Sequence, residues 1–388
     1  MSHYTVAVIT KDGNYERELE RFDEGLEVEP YIRNTKQDCI ESQRNWNLTQ
    51  RKRKLEEENK NALPDLGKQT STAVVTTESD EELYKQYVEE WGEGRTFDEA
   101  GNELSTYNPD SKWDWWALGG RWSGLLKLKN PTVIPEDKQE EYNELQRDVN
   151  TFKAVDDTYI YLSNFIERGY EADRLKQFIN ELTLAFHPDK NVNPEIIKSI
   201  NTLREQFKNT EDVSYYLKKV QDAMNPYWSF AKRNKICRAL SDFLSQFNTD
   251  TIIRGDDCHY LDRCDSAMVK DIDFTPDTSK VNWYKRFWEI NVEEKPCTEE
   301  EKEEYRTFYN KNYYLDTYGN FETYLKSQTE FSTYAILYEG EWIEPGKMGW
   351  FGFSDSTKDS NEEYRQRFNE IISNLEDDDI ISIIDCHI

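Results

Sequence analysis

The 388-residue chain is short of basic charge, of histidine and of long apolar runs. Lys and Arg number 49 against 77 Asp and Glu, a formal charge of −28. A field of that sign repels nucleic acid and anionic membrane and attracts basic surfaces, so direct contact with nucleic acid or membrane is not expected. No stretch approaches the roughly 18 apolar residues of a membrane span. The opening run Tyr4-Thr5-Val6-Ala7-Val8-Ile9 is too short for a secretory leader. Six cysteines, at 39, 237, 258, 264, 297 and 386, do not make a disulfide scaffold in so long a chain. Together these shortages predict a cytoplasmic, reduced protein. Phosphate-binding glycine loops, nucleophile elbows and paired metal-carboxylate motifs are also missing, so the sequence points to no cofactor, metal or reaction.

What the chain has is aromatics. Apolar residues make up only 36%, but 24 Tyr, 18 Phe and 11 Trp supply enough bulk to build cores. Four of those tryptophans fall in ten residues, Trp113-Asp114-Trp115-Trp116-Ala117-Leu118-Gly119-Gly120-Arg121-Trp122. Buried indoles need acceptors for their N–H groups, and Asp114 can accept. Gly119-Gly120 permits a turn at positive φ, and the planar Arg121 guanidinium can stack on indole or clamp an anion. Two readings stand. The stretch is a core nucleus in which Asp114 and Arg121 pair with each other or with the backbone, or it is an aromatic pocket or docking surface with Asp114 and Arg121 as its polar groups.

Hydrophobic spacing orders the rest. His3–Thr10 reads as a strand, Glu29-Pro30-Tyr31 as an extended turn, 38–60 as a polar helix and Leu63–Ser79 as a loop. A helix is expected over Glu81–Trp91 and a strand over Leu125–Leu128. From about 135 to 250 the pattern is helical, with almost no strand signal. Tyr305–Tyr324 reads as helical, Tyr334–Tyr338 as a strand, Gly340-Glu341-Trp342 as a turn and Met348–Gly352 as strand or loop. Asn361–Leu375 suggests a helix and Ile380–Ile388 a last strand. The expected class is α+β: one discontinuous domain of 1–130 and 251–388 around a mixed or antiparallel sheet, interrupted by a helical insertion at 131–250.

Two resemblances bear on function. The opening His3-Tyr4-Thr5-Val6, the Trp113-Asp114-Trp115-Trp116 and Gly119-Gly120-Arg121-Trp122 stretch, Lys270-Asp271-Ile272-Asp273-Phe274 and the closing Asp385-Cys386-His387-Ile388 follow in an order that resembles an uncharacterised group of phage and bacterial proteins. The resemblance covers about 1–130 and 260–388; it implies a mobile-element context and supplies no activity. Within the insertion, Leu182-Thr183-Leu184-Ala185-Phe186-His187-Pro188-Asp189-Lys190-Asn191 resembles the second helix and His-Pro-Asp loop of a J-domain. That resemblance implies a helical hairpin over about 155–222, with Tyr159–Ile166 as a short first helix and a heat-shock chaperone as partner. The chain departs from the J-domain pattern in one respect: Glu171, Asp173 and Glu181 dilute the basic face that Arg174 and Lys176 would present.

Only four histidines exist, at 3, 187, 259 and 387. His3 and His387 fall in the first and last strands, which commonly neighbour each other. With Asp385 and Arg121 they would form a polar site beside the tryptophans, suited to acid–base work or anion binding; the alternative is satisfied structural histidines. Cys258, His259, Cys264 and Cys386 are soft metal donors without a zinc-type spacing. The leading functional reading is a non-catalytic acidic interaction protein that binds and inhibits or redirects a host protein, such as a defence factor or nuclease. The second is a small-anion or nucleotide-binding protein or enzyme using Trp113, Asp114, Trp115, Trp116, Arg121, Trp122, Asp385 and His387. The third is a J-domain-like co-chaperone acting through His187, Pro188 and Asp189.

Overall fold

The structure is a computed structural model that describes residues 2–61, 77–169, 171–207, 213–228, 230–349 and 353–388. Most of the loop expected over Leu63–Ser79, and Trp350-Phe351-Gly352, lie outside the described residues. The fold is α+β, with a mixed sheet formed by strands of both termini and a central helical region. No helix of the described residues is long and apolar enough to cross a membrane. Contacts divide the chain into two compact units, Glu20–Lys112 and the remainder.

In chain order, β1 (His3–Thr10) and α1 (Tyr15–Glu20) come first. The smaller unit then carries β2 (Glu27–Asn34), α2 (Lys36–Asn61), α3 (Asp80–Trp91), β3 (Thr96–Phe97) and β4 (Glu103–Tyr107). Its sheet runs β2-β4-β3, antiparallel throughout. The expected turn at Glu29-Pro30-Tyr31 is instead inside β2. Pro30 has no N–H to give a ladder, and it falls where the β2–β4 register shifts between Glu27 and Tyr31. Behind the sheet the buried Glu103 carboxylate accepts from Tyr87 Oη (2.6 Å), Arg95 Nη1 (2.9 Å) and Asn34 Nδ2 (3.0 Å). Those bonds and the Arg95 charge hold the carboxyl below its ordinary pKa, although burial pushes the other way.

The larger unit continues with β5 (Trp115–Leu118) and β6 (Leu126–Lys127). The helical region follows as α4 (Gln139–Arg168), α5 (Ala172–Ala185), α6 (Pro194–Phe207), α7 (Ser214–Met224) and α8 (Phe230–Ser245). Next are β7 (Ile252–Ile253), β8 (Arg263–Cys264), β9 (Ser266–Met268), α9 (Val281–Asn291), α10 (Glu299–Glu304), α11 (Lys311–Tyr318) and α12 (Phe321–Thr329). β10 (Ala335–Tyr338), β11 (Glu341–Ile343), α13 (Lys358–Asn374) and β12 (Ile380–His387) close the chain. Three local expectations change. The segment Tyr159–Ile166 is not a short helix but part of the 30-residue α4. Of Tyr305–Tyr324, residues 305–310 are not helical, and the remainder breaks at Gly319 into α11 and α12. Glu341 and Trp342 belong to a strand, and the turn sits one step earlier at Glu339-Gly340.

The main sheet runs β11-β10-β1-β12-β9-β7, with β5 also on β12. β1 and β12 pair antiparallel over their full length, from His3 opposite His387 to Thr10 opposite Ile380. Both strands are buried along nearly their whole length, on both faces, which suits a central position covered on either side. One face packs Ala7, Ile9, Ile381 and Ile383 against Tyr364, Phe368 and Ile371 of α13, at the i, i+4, i+7 spacing of one helix stripe. The outer edge of β12 is shared: Ile380–Ser382 pair with β9 and Ile384–His387 with β5. At the changeover Gly119 N–H donates to Ile383 O (2.8 Å) and Ile383 N–H to Asp265 O (2.7 Å). The first strand, last strand and tryptophan stretch therefore meet at one end of the sheet.

Candidate functional site

Directly opposed residues of neighbouring strands point to the same sheet face. The register sets His3 opposite His387 and His387 opposite Trp115, so three rings from three strands form a row. The imidazole centroids of His3 and His387 are 5.0 Å apart, and the Trp115 indole stands 6.1 Å from His3 and 6.5 Å from His387, all edge-to-face. Trp115 is 52% exposed, which opens the row to solvent.

Each imidazole has its own carboxylate. His3 Nδ1 is 2.9 Å from Asp385 Oδ1, and His387 Nδ1 is 2.6 Å from Asp114 Oδ1. A carboxylate accepts only, so both rings donate from Nδ1 and keep a bare Nε2. No residue among those described occupies either Nε2. Asp385 is buried to 2% exposure two residues along β12 from His387, hence on the same face. Its second oxygen accepts the Arg121 amide N–H at 3.0 Å. Asp114 is partly exposed, and its own N–H donates to His387 O at 3.0 Å, which fixes its root beside the ring it serves.

The glycine turn makes the first of these contacts possible. A Cβ at Gly120 (φ +50°) would come within 2.5 Å of Asp385 Cβ and Oδ2, so only glycine lets the chain close over that carboxylate. The Arg121 side chain is exposed, and among the described residues its guanidinium has no hydrogen-bond or ion-pair partner. The pairing of Asp114 with Arg121 offered by the core reading is therefore not formed; Asp114 serves His387.

The four tryptophans split between both sequence readings. Trp113 is buried, and its Nε1 donates to Leu19 O at 3.2 Å. Trp116, opposite Cys386 on the other sheet face, packs edge-on against Trp113 (6.4 Å) and Tyr15 (5.8 Å). Trp122 is half-buried against the core under α13. Trp115 alone is exposed beside the histidines.

Sequence reasoning missed the support beneath the turn. Asp265, fully buried, accepts from Gly124 N (2.6 Å), Gly255 N (2.7 Å) and Ser123 Oγ (3.0 Å), and a Cβ at Gly119 would strike its carboxylate at 2.6 Å. Burial pushes its pKa up, against the pull of those hydrogen bonds. A single aspartate in Arg263-Cys264-Asp265-Ser266 carries no pattern that would announce this role.

His187, Pro188 and Asp189 lie far along the chain from this row. They are exposed and form the turn between α5 and α6, with Asp189 N–H donating to His187 Nδ1 at 3.3 Å. Leu182, Phe186, Ile196 and Ile200 are buried in the core shared by these two helices with α4 and α7, and Phe207 is partly buried.

Cys258 and Cys264 are buried free thiols; burial pushes Cys258 up to about 12 and Cys264 higher still. His259 is half-buried with Nδ1 3.0 Å from Ser241 Oγ. No cluster of three metal-type ligands occurs among the described residues. Burial, then the nearby Lys153 charge, lowers the His259 pKa below its ordinary 6.5. The unfolded chain therefore binds this proton before the folded chain does. Stability falls as pH drops from about 6.5 through the folded value. A His259→Asn variant is expected to lose less melting temperature than wild type between about pH 7 and pH 5. Equal acid sensitivity of the two proteins is the contrary result.

The fold and this row define an α+β protein with a surface site of two carboxylate-anchored histidines beside an open indole. No family model matches the chain, and no curated protein or solved structure matches it.

Proposed function

We propose that the protein binds a small phosphorylated, nucleotide-class anion at the His3–His387–Trp115 row and that its two imidazoles move protons on that ligand. The observation that carries this reading is the pair of imidazoles 5.0 Å apart, each committed through Nδ1 to a separate carboxylate. An anchored imidazole has a fixed tautomer and orientation, and its Nε2 accepts a proton as a base or returns one as an acid. Two side by side supply both roles. The exposed Trp115 offers a flat face for a base, and the unpartnered Arg121 offers a fork suited to phosphate.

Thermal denaturation with a mononucleotide panel tests this. A ligand that binds only the folded state adds about 2.7 kcal/mol at a hundredfold excess over Kd, which raises the melting temperature. The rise is expected in wild type and smaller in Trp115→Ala and His387→Ala. No shift with any nucleotide, or the same shift in both variants, contradicts the proposal.

A second reading, an interaction protein whose partner is a host chaperone, is favoured by one observation. His187-Pro188-Asp189 is an exposed turn between two helices that share a buried core, the placement that the J-domain resemblance implies. Glu171, Asp173 and Glu181 weaken electrostatic steering toward an acidic partner, so modest affinity is expected. Under this reading His187→Gln abolishes stimulation of a heat-shock ATPase and leaves the melting temperature unchanged, because the ring is exposed. Absence of stimulation by wild type removes the reading.

A further inference from the structure

A cavity of about 500 Å³ lies between α11, α12 and α13, within the 300–1,000 Å³ range of small-ligand sites. One wall is aromatic. Phe331 and Phe368 pack at 5.7 Å between centroids, with Tyr318 and Tyr334 also lining the space. α13, which also carries Phe368, adds a polar stripe to the lining: Lys358, Asn361, Arg365 and Asn369, spaced i, i+3, i+7 and i+11.

Two cations stand in that stripe. Acidic residues outnumber basic ones 77 to 49, and some surface cations do collect carboxylates: Lys11 reaches Glu376, Asp378 and Asp379, and Arg17 reaches Asp12 and Glu18. Among the described residues neither Lys358 nor Arg365 reaches one. Lys326, the cavity's third cation, is engaged by Glu322 at 3.3 Å. Two carboxylates, Glu330 and Glu362, line the cavity as exposed side chains without closing on these cations. Lys358 is moreover the first residue of α13, where the positive end of the helix dipole disfavours a cation and favours an anion. Its Nζ leans over the turn between α11 and α12, 3.2 Å from where a Cβ of Gly319 would stand.

We infer that this cavity is a second ligand site, separate from the histidine row, that takes a nucleotide: the phosphate on Lys358 and Arg365, the base against the aromatic wall. Phosphate suits a point-charge ammonium together with a guanidinium fork. The amides of Asn361 and Asn369 can each donate and accept, which matches the mixed edge of a base. An apolar ligand would leave two cations facing it without a counter-charge, and a bare inorganic anion would leave the aromatic wall uncovered.

The test is calorimetric titration of adenosine monophosphate into a Trp115→Ala/His387→Ala double variant, so that the histidine row cannot contribute. Binding is expected to persist there. Adding Arg365→Ala or Lys358→Ala should weaken it by about tenfold or more, because each removes a charge-assisted hydrogen bond. Adenosine, which lacks the phosphate, should bind at least about tenfold more weakly than the monophosphate. Both substituted side chains reach solvent, and an unchanged melting temperature confirms that the fold is intact. No binding to the double variant overturns the inference, as does binding indifferent to both Lys358 and Arg365. Wild-type binding lost with Arg365→Ala but kept in the double variant supports the cavity while refuting the histidine row, so the two claims fail separately.

Discussion

Asp265→Ala is expected to be the most destabilising single substitution near the site, by about 4 kcal/mol. The carboxylate accepts from the Gly124 and Gly255 amides and from the Ser123 hydroxyl, at 2.6, 2.7 and 3.0 Å. Alanine relieves the cost of burying a charge, which acts in the variant's favour. It also takes the acceptor from one buried donor, Gly124 N–H, and two partly buried ones, and removing one partner of a buried polar set generally outweighs the relief. Each orphaned donor costs about 1–3 kcal/mol. The melting temperature should fall by about 5–10 °C. Asp265→Asn, which keeps one acceptor oxygen, should lose roughly half as much. A melting temperature for Asp265→Ala within about a degree of wild type would mean that the turn is held by something else.

Gly120→Ala should have the second-largest effect, and it couples stability to the site. The residue sits at φ +50°, where a non-glycine side chain costs about 1–3 kcal/mol. Its new Cβ would stand 2.5 Å from Asp385 Cβ, an atom fixed to a central strand rather than the end of a flexible chain. The turn must therefore lift, taking the Arg121 N–H off Asp385 and loosening the carboxylate that anchors His3. A control separates the two contributions. Gly340, at φ +77° in the turn between β10 and β11, has nothing within 4 Å of its would-be Cβ, so Gly340→Ala pays only the backbone part. The expected losses are about 3 kcal/mol or more at Gly120 and about 1 kcal/mol at Gly340. Ligand binding at the histidine row should disappear only at Gly120. Equal losses would show that the close approach to Asp385 does not matter.

Periodicity made the strands and helices legible wherever the local signal was strong. His3–Thr10 and Ile380–Ile388 read as strands because they alternate, and the first is rich in β-branched residues. The α2, α3 and α13 patterns were likewise visible, to within a few residues at their ends. Where context overrode local signals, the reading slipped. Pro30 looked like a turn residue and became a strand residue because a register shift accommodates its missing N–H. Tyr159–Ile166 was expected as a short helix because the J-domain resemblance implies one there, whereas the buried face of α4 already runs from Val149 to Leu162.

The site was half legible. The adjacency of His3 and His387 follows from pairing the first strand with the last, a guess that sequence allows. That Asp114 and Asp385 divide the two rings between them depends on register and on Gly120, which no composition argument reaches. The density of tryptophan pointed to the right ten residues but not to their roles. Strand alternation sends Trp115 to the histidine face and Trp116 to the opposite one. Asp265, the support of the whole turn, left no trace in the pattern. The cavity beside α13 was also invisible, because its lining joins residues of α11, α12 and α13 whose approach only the fold decides.

The most direct test of the histidine row is nitrogen-resolved NMR of the imidazoles, with and without mononucleotide. The account predicts that His3 and His387 are both Nδ1–H tautomers in the neutral state, because each Nδ1 faces a carboxylate. It predicts further that both Nε2 resonances move on addition of ligand, while those of His187 and His259 stay in place. An Nε2–H tautomer at either ring, or Nε2 resonances indifferent to every nucleotide offered, would contradict it.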